Sequence, residues 1–157
     1  MNDYSETIFK LVEYELWTNF RLLDFLERLS EEEYNRDFGF GLRTPHQTIV
    51  HIAKVMEGWG GCVGPVIQEP SWKDYDQPAS LSEVRKTFES LAESLPLAAK
   101  AAYQQQLLGE QRRLNQLFHI VTHGTHHRGQ LLSMITLVGY EQPLEGGDFG
   151  GWSKANP

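Results

Sequence analysis

Phe118-His119-Ile120-Val121-Thr122-His123-Gly124-Thr125-His126-His127-Arg128-Gly129-Gln130 holds four of the chain's six histidines within nine residues. At about 100° per residue on a helix, His119, His123 and His127 stack one above the next with a drift of about 40° per step. Imidazoles at i and i+4 on one helical face can ligate a single divalent ion. His126 lies about 100° from His127 and faces elsewhere. The helical pattern extends from Leu114 to Val138, and Gly139 is a natural C-terminal cap. The histidine row continues through Gln130 and Met134 toward Leu137 and Val138, which turns it at least partly inward.

Three more helices surround this one in the pattern. Tyr4 to Leu29 is a first helix, with Ile8, Val12, Leu16, Leu23 and Leu26 spaced by three, four or seven. Ser30-Glu31-Glu32-Glu33 has the form of a capping box before a short helical turn. Phe38 to Leu42 reads as a loop. Thr44-Pro45-His46-Gln47 combines a cap residue, a first-turn proline and a glutamine, so a second helix runs from Pro45 to about Val63. Glu69 to Ala79, with Pro70 and Pro78, reads as a long connection. Ser80-Leu81-Ser82-Glu83 opens a third helix lined by Val84, Phe88, Leu91 and Leu95, which Pro96 kinks or ends, although Leu97 to Tyr103 beyond it is rich in helix-forming alanine. Gln104 to Arg113 is polar and undecided between a turn and an extended piece. The Gly-rich tail from Glu145 to Trp152 reads as irregular. Four long amphipathic helices with no confident strand predict an all-α bundle occupying the chain as one domain, helical from about residue 4 to 140, with an irregular tail over 141–157.

Composition narrows the function. The chain is acidic, with a net charge of −7, and has no Lys/Arg cluster. That excludes the electrostatic footprint of a nucleic-acid binder and disfavours anionic membranes. Cys62 is the only cysteine, so neither an internal disulfide nor a Cys-based zinc site is available. The acidic N-terminus lacks a signal-peptide pattern, and no apolar run reaches the ~18 residues of a membrane span. The expectation is a soluble, cytoplasmic protein.

Two histidines from one helix leave a metal under-coordinated, so a third ligand must come from elsewhere. His46 and His51 are the candidates. His46 falls in the first turn of the second helix, near the surface. His51 shares its stripe with Thr48, Val55, Gly58 and Cys62, whose small side chains suit close approach of another helix, and the residues favour it. Cys62, eleven residues on, is about 16 Å from His51 along an intact helix and cannot share its ion. Three neutral imidazoles leave coordination positions open and suit Zn, Ni or Fe alike. Gln47 and Gln130 are candidate partners for the second ring nitrogens.

The run from His119 to Gln130 resembles the HxxxHxxxHRGQ signature of the DinB/YfiT-like family of metalloproteins. Tyr14-Glu15-Leu16-Trp17-Thr18-Asn19 is similar to that family's YxxWAN pattern, with Thr18 in place of Ala. Val50-His51-Ile52 is similar to its LxHI element, with Val50 in place of Leu. The resemblance covers the chain to about Tyr140. It implies a four-helix bundle with a long crossover connection and a metal held by His51, His123 and His127. His119 matches a position that is not usually a ligand. It also implies homodimers and a small-molecule substrate, because relatives include S-transferases and an isomerase that use a low-molecular-weight thiol. The tail from Glu145 matches no pattern of the family.

Other residues invite roles that the residues alone do not secure. Arg128 could meet a substrate carboxylate, but an ion pair with a neighbouring helix is the plainer expectation. Glu15 and Glu57 could serve as its partner or as bases, but read as solvated helix-face charges. Trp17 and Trp59 read as core, and Cys62 as buried. Trp72 to Tyr75 and Phe149 to Trp152 are loop segments that could cover a site. The leading expectation is a metal-dependent thiol transferase or related hydrolase, with no catalytic acid or base assigned. A non-catalytic metal-binding or stress-response dimer is the alternative, and a bundle whose histidines only pack is the third.

Overall fold

The computed structural model of the chain describes residues 3–63, 79–106, 112–141 and 148–156. Within them lie α1 (Asp3–Leu26), α2 (Glu31–Tyr34), α3 (Pro45–Val63), α4 (Leu81–Gln106), α5 (Arg112–Val138) and α6 (Phe149–Ala155). No strand occurs among the described residues. No helix there is long and apolar enough to cross a membrane.

The predicted start signals act as such. Ser30 and Glu33 close a capping box on α2. Ser80 and Glu83 repeat it on α4, with Ser80 N–H donating to Glu83 Oε2 at 2.8 Å and Glu83 N–H to Ser80 Oγ at 3.3 Å. Thr44 Oγ1 accepts from Gln47 N–H at 3.0 Å at the head of α3. Gly139, at φ 104°, closes α5. Its N–H bonds to Thr136 O, and Tyr140 N–H reaches back to Ile135 O, the paired pattern of a left-handed C-cap.

Contacts along the helices fix their directions. Glu15 meets Arg128 and Phe25 meets Tyr140, so α1 and α5 run parallel. Arg85 bonds Asp24 and Glu27, and Phe20 packs on Phe88, so α4 runs against α1. His51 meets His123 and Trp59 meets His119, so α3 runs against α5. His46 Nε2 bonds Ala79 O just before α4, while Gly60 abuts Leu91; α3 and α4 therefore point the same way. The order is up, down, down, up. Two successive parallel helices require the intervening chain to travel back along the bundle, about 28 Å for the 19 residues of α3. This is the crossover that the sequence predicts. Its residues 64–78 lie outside the described residues, and the expectations for Trp72 and Tyr75 fall there.

The core is built from one face of each long helix: Leu22, Leu23 and Leu26; Ile49, Ile52 and Met56; Phe88 and Leu95; Ile120, Leu131 and Ile135. Each such side chain contributes about 1.5–3 kcal/mol when taken out of water.

Four expectations change. The first helix ends at Leu26 rather than Leu29, because Arg28 and Leu29 bond back three residues and tighten the last turn. α4 continues through Pro96. The lost hydrogen bond and ring clash cost about 3 kcal/mol, and burial of Leu95, Ala98, Ala99 and Ala102 offsets that. The undecided stretch before Leu114 is already helical from Arg112. The tail is not wholly irregular: Asp148 caps α6 by accepting from Gly151 N–H at 2.7 Å, and Trp152 is buried against Tyr14 and Trp17 of α1.

Candidate metal centre

The seam between antiparallel α3 and α5 places His51 opposite two consecutive turns of α5. One nitrogen each of His51, His123 and His127 lies within 4.8 Å of the other two. Ring centroids are 4.9 Å apart for His51 and His123, 4.7 Å for His51 and His127, and 4.4 Å for His123 and His127. His51 Nε2 and His123 Nε2 stand 3.1 Å apart. Nitrogens bound at about 2.0–2.1 Å to a tetrahedral ion lie about 3.3 Å from one another. The donor set and its spacing therefore fit a divalent cation.

The local electrostatics keep the two α5 rings, His123 and His127, neutral. Burial, and then the potential charges of His127, His51, His119 and His126, hold the His123 imidazolium down at about 3. Burial also lowers His127, against an opposing hydrogen bond from Gln130. A neutral imidazole keeps the lone pair a cation requires.

Gln130 orients His127. Its Oε1 lies 2.9 Å from His127 Nδ1, so Nδ1–H donates to the amide oxygen and Nε2 is left as the ligand atom. The Gln130 amide nitrogen is 3.1 Å from His126 Nε2, so His126 supports the site without joining it. The loop between α2 and α3 backs this arrangement. Gly41 has φ 55°, a conformation that favours glycine, and a Cβ there would fall 2.8 Å from Gln130 Oε1, so any other residue would push the Gln130 amide aside. His123 Nδ1, by contrast, is buried with no hydrogen-bond partner.

The remaining predicted residues sort themselves around this point. His46 is half-buried against Tyr34 and bonded to Ala79 O, away from the triad. Gln47 is exposed and tied to Thr44, so it does not act on His51 as expected. His119 is exposed, one turn beyond His123, with its ring 4.9 Å from Trp59. These two line an open groove of about 540 Å³ with Asn115 and Gln116. Trp59 is thus a groove wall rather than core alone. Trp17 packs under Trp152. Glu57 is exposed. The side chain of Cys62 lies outside the described residues. Leu137, expected to face inward, is 62% exposed, because the row has by then rotated past the core.

Glu15 is the largest departure. It is not a solvated charge but 0% exposed, and it bonds Arg128, itself 4% exposed. Asn19 Nδ2 donates to Glu15 Oε1 at 3.3 Å, and Arg128 donates to Thr125 Oγ1 at 3.0 Å. Burial pushes the Glu15 carboxyl up, against the pull of Arg128. A Cβ on Gly124 would overlap Glu15 Oε1, so that glycine is what lets α1 close on α5. The signal for this lay in the spacing: Gly124 and Arg128 share a face, as do Glu15 and Asn19. Arg113 and Gln116 were also missed. Gln116 is seven residues before His123, two turns along the same row.

The chain belongs to the DinB family, whose model matches residues 1–147. It is also similar to the protein DinB of Bacillus subtilis strain 168, with 23% identity over 155 residues, covering 87% of this chain and 88% of that protein.

Proposed function

We propose that His51, His123 and His127 hold one divalent ion, Zn, Ni or Fe, and that the protein uses it in a thiol transfer or a related hydrolysis on a small molecule. The observation that carries this reading is the convergence of three imidazole nitrogens from two helices within 4.8 Å. When bound, such an ion acts as a Lewis acid that lowers the pKa of a thiol or water. The chain supplies the rest. Gln130 fixes the His127 tautomer, Gly41 keeps Gln130 in place, and Trp59 and His119 wall the groove through which a substrate approaches. The triad itself holds no carboxylate, and His119 is the polar side chain of the groove next to it on α5.

The test is elemental analysis of the untagged protein beside His123→Ala. About one ion per chain, lost in the variant, supports the reading. No ion in the wild type and no uptake of added zinc or nickel overturns it. A thiol-transfer screen with the retained metal then separates an enzyme from a metal-binding protein without a reaction.

The same reading takes the protein as a cytoplasmic homodimer. The outer face of α5 supports the dimer. Phe118, Thr122, Thr125, Ser133, Thr136 and Leu137 are exposed there with no charged side chain among them. The four hydroxyls donate to carbonyls of their own helix. Sedimentation velocity distinguishes a dimer near twice 18.0 kDa from a monomer.

A further inference from the structure

Among the described residues, α5 contains two buried arginines, and only one of them has a counter-ion there. Arg113 is 6% exposed, and its Nε and Nη1 are buried with no hydrogen-bond partner. It forms no salt bridge among the described residues. One turn further on, Gln116 is 8% exposed, and its Oε1 is also buried without a partner. Gln116 lines the groove with Trp59 and His119. Buried polar groups are ordinarily matched, and a guanidinium keeps its charge at any physiological pH. Two unmatched groups in adjacent turns, one donating and one accepting, therefore describe a missing ligand with the opposite pattern.

The surroundings select an anion. The sequence of α5 from Arg112 to Val138 contains no Asp or Glu, although the chain as a whole has a net charge of −7. A planar guanidinium matches a carboxylate or a phosphate. Gln116 Oε1 adds a demand for an N–H or O–H donor near that anion. A phosphate monoester dianion meets only the first demand; an α-amino, N-acyl-amino or hydroxy acid meets both. Gln116 and His123 lie seven residues apart on one row of α5, about 10 Å along the axis.

We propose that Arg113 and Gln116 form a carboxylate subsite that anchors the acid end of the substrate, with its reacting end about 10–15 Å away along α5 at the histidine triad. The subsite rests on the proposed metal reading only for which end of the ligand reacts. Its own ligand is a small acid with a hydrogen-bond donor beside the carboxylate.

The test uses the full-length zinc-loaded protein and S-methylglutathione. Both carboxylates of this probe neighbour N–H groups, and its sulfur cannot ionise. Calorimetric titration should show binding to the wild type, weakened by about tenfold or more in Arg113→Met and several-fold in Gln116→Leu. Zinc content should be unchanged in both. Without the probe, the melting temperature of Arg113→Met should equal or exceed that of the wild type, because the variant removes an unpaired buried charge. Arg113→Lys should retain part of the binding. Absence of binding to the wild type, or equal binding by Arg113→Met, overturns the proposal. So does a fall of the probe-free melting temperature in Arg113→Met, which would assign Arg113 to packing. Inorganic phosphate that binds as tightly as the probe would also overturn it, in favour of a phosphate site. Loss of zinc from the wild type would count against the metal reading instead, and elemental analysis reads that separately.

Discussion

α5 presents two seams that differ in how completely their polar groups are matched. Toward α1, Arg128 is enclosed by Glu15, Asn19 and Thr125, and stacks its cation over the Tyr14 ring at 5.8 Å. Toward α3, the adjacent residue His127 aims a ring nitrogen at two others that converge on one point. The first seam spends its polar groups on one another and fixes how the helices sit. The second leaves lone pairs directed at a common position. Adjacent residues on one helix thus take opposite parts, and the difference lies in whether their partners come from the protein.

Substitutions can break each seam separately. The largest effect is expected from Arg128→Ala, which leaves Glu15 buried and unpaired. Losing one partner of a buried pair costs about 3–5 kcal/mol, a fall of about 10 °C in the thermal melt. Gly124→Ala should act in the same direction, because its methyl overlaps Glu15. If either variant melts like the wild type, the α1 seam does not hold the bundle. His123→Ala should do the reverse. The helical circular dichroism stays intact while metal content falls from about one per chain to none. A variant that retained its metal would separate the two seams less cleanly than the geometry requires.

A smaller effect is expected from Gln130→Leu. It removes the acceptor of His127 Nδ1–H and should weaken metal affinity about 10–100-fold in a competition titration, with the fold unchanged. An unchanged affinity would mean that the packing of the ring alone orients it. The smallest effect is in pH dependence. In the metal-free protein His123 titrates at about 3, below its ordinary 6.5. Between those values the unfolded chain binds the extra proton, so stability is complete above about 6.5 and declines as pH falls toward 3. The melting temperature of His123→Ala should be less sensitive to pH across that window. A steeper dependence in the variant would place the proton-sensitive group elsewhere.

Much of the fold was legible because burial repeats with the period of the helix. The capping boxes at Ser30 and Ser80, and the Gly139 stop, carry their own local chemistry, so their positions needed no tertiary information. Pro96 left the end of the third helix open in the sequence, because the alanines beyond it favour a helix but only their burial against the bundle decides that α4 runs on. The tail misled because Asp148 caps α6 and Trp152 finds its place only on Tyr14 and Trp17, a contact between distant parts of the chain. The histidines were readable by spacing within α5, and the residues favoured His51 on α3. Glu15 was misjudged because helical periodicity gives a side chain's direction, not its partner. Its burial depends on a gap at Gly124, more than a hundred residues away. Arg113 closed a stretch too polar to look internal, and Gln116 on the next helix carried no signal that told it from a surface amide.

The crossover between α3 and α4 separates His51 from His123 by 72 positions. No fragment of the chain that folds locally can assemble all three imidazoles; an excised α5 would carry only two. The cluster comes into being only after the last long helix has been synthesised and has docked beside one made much earlier. Possession of all three nitrogens at one point is thus a record of completed folding. A ligand that needs all three would ignore nascent or partly unfolded chains and select finished molecules.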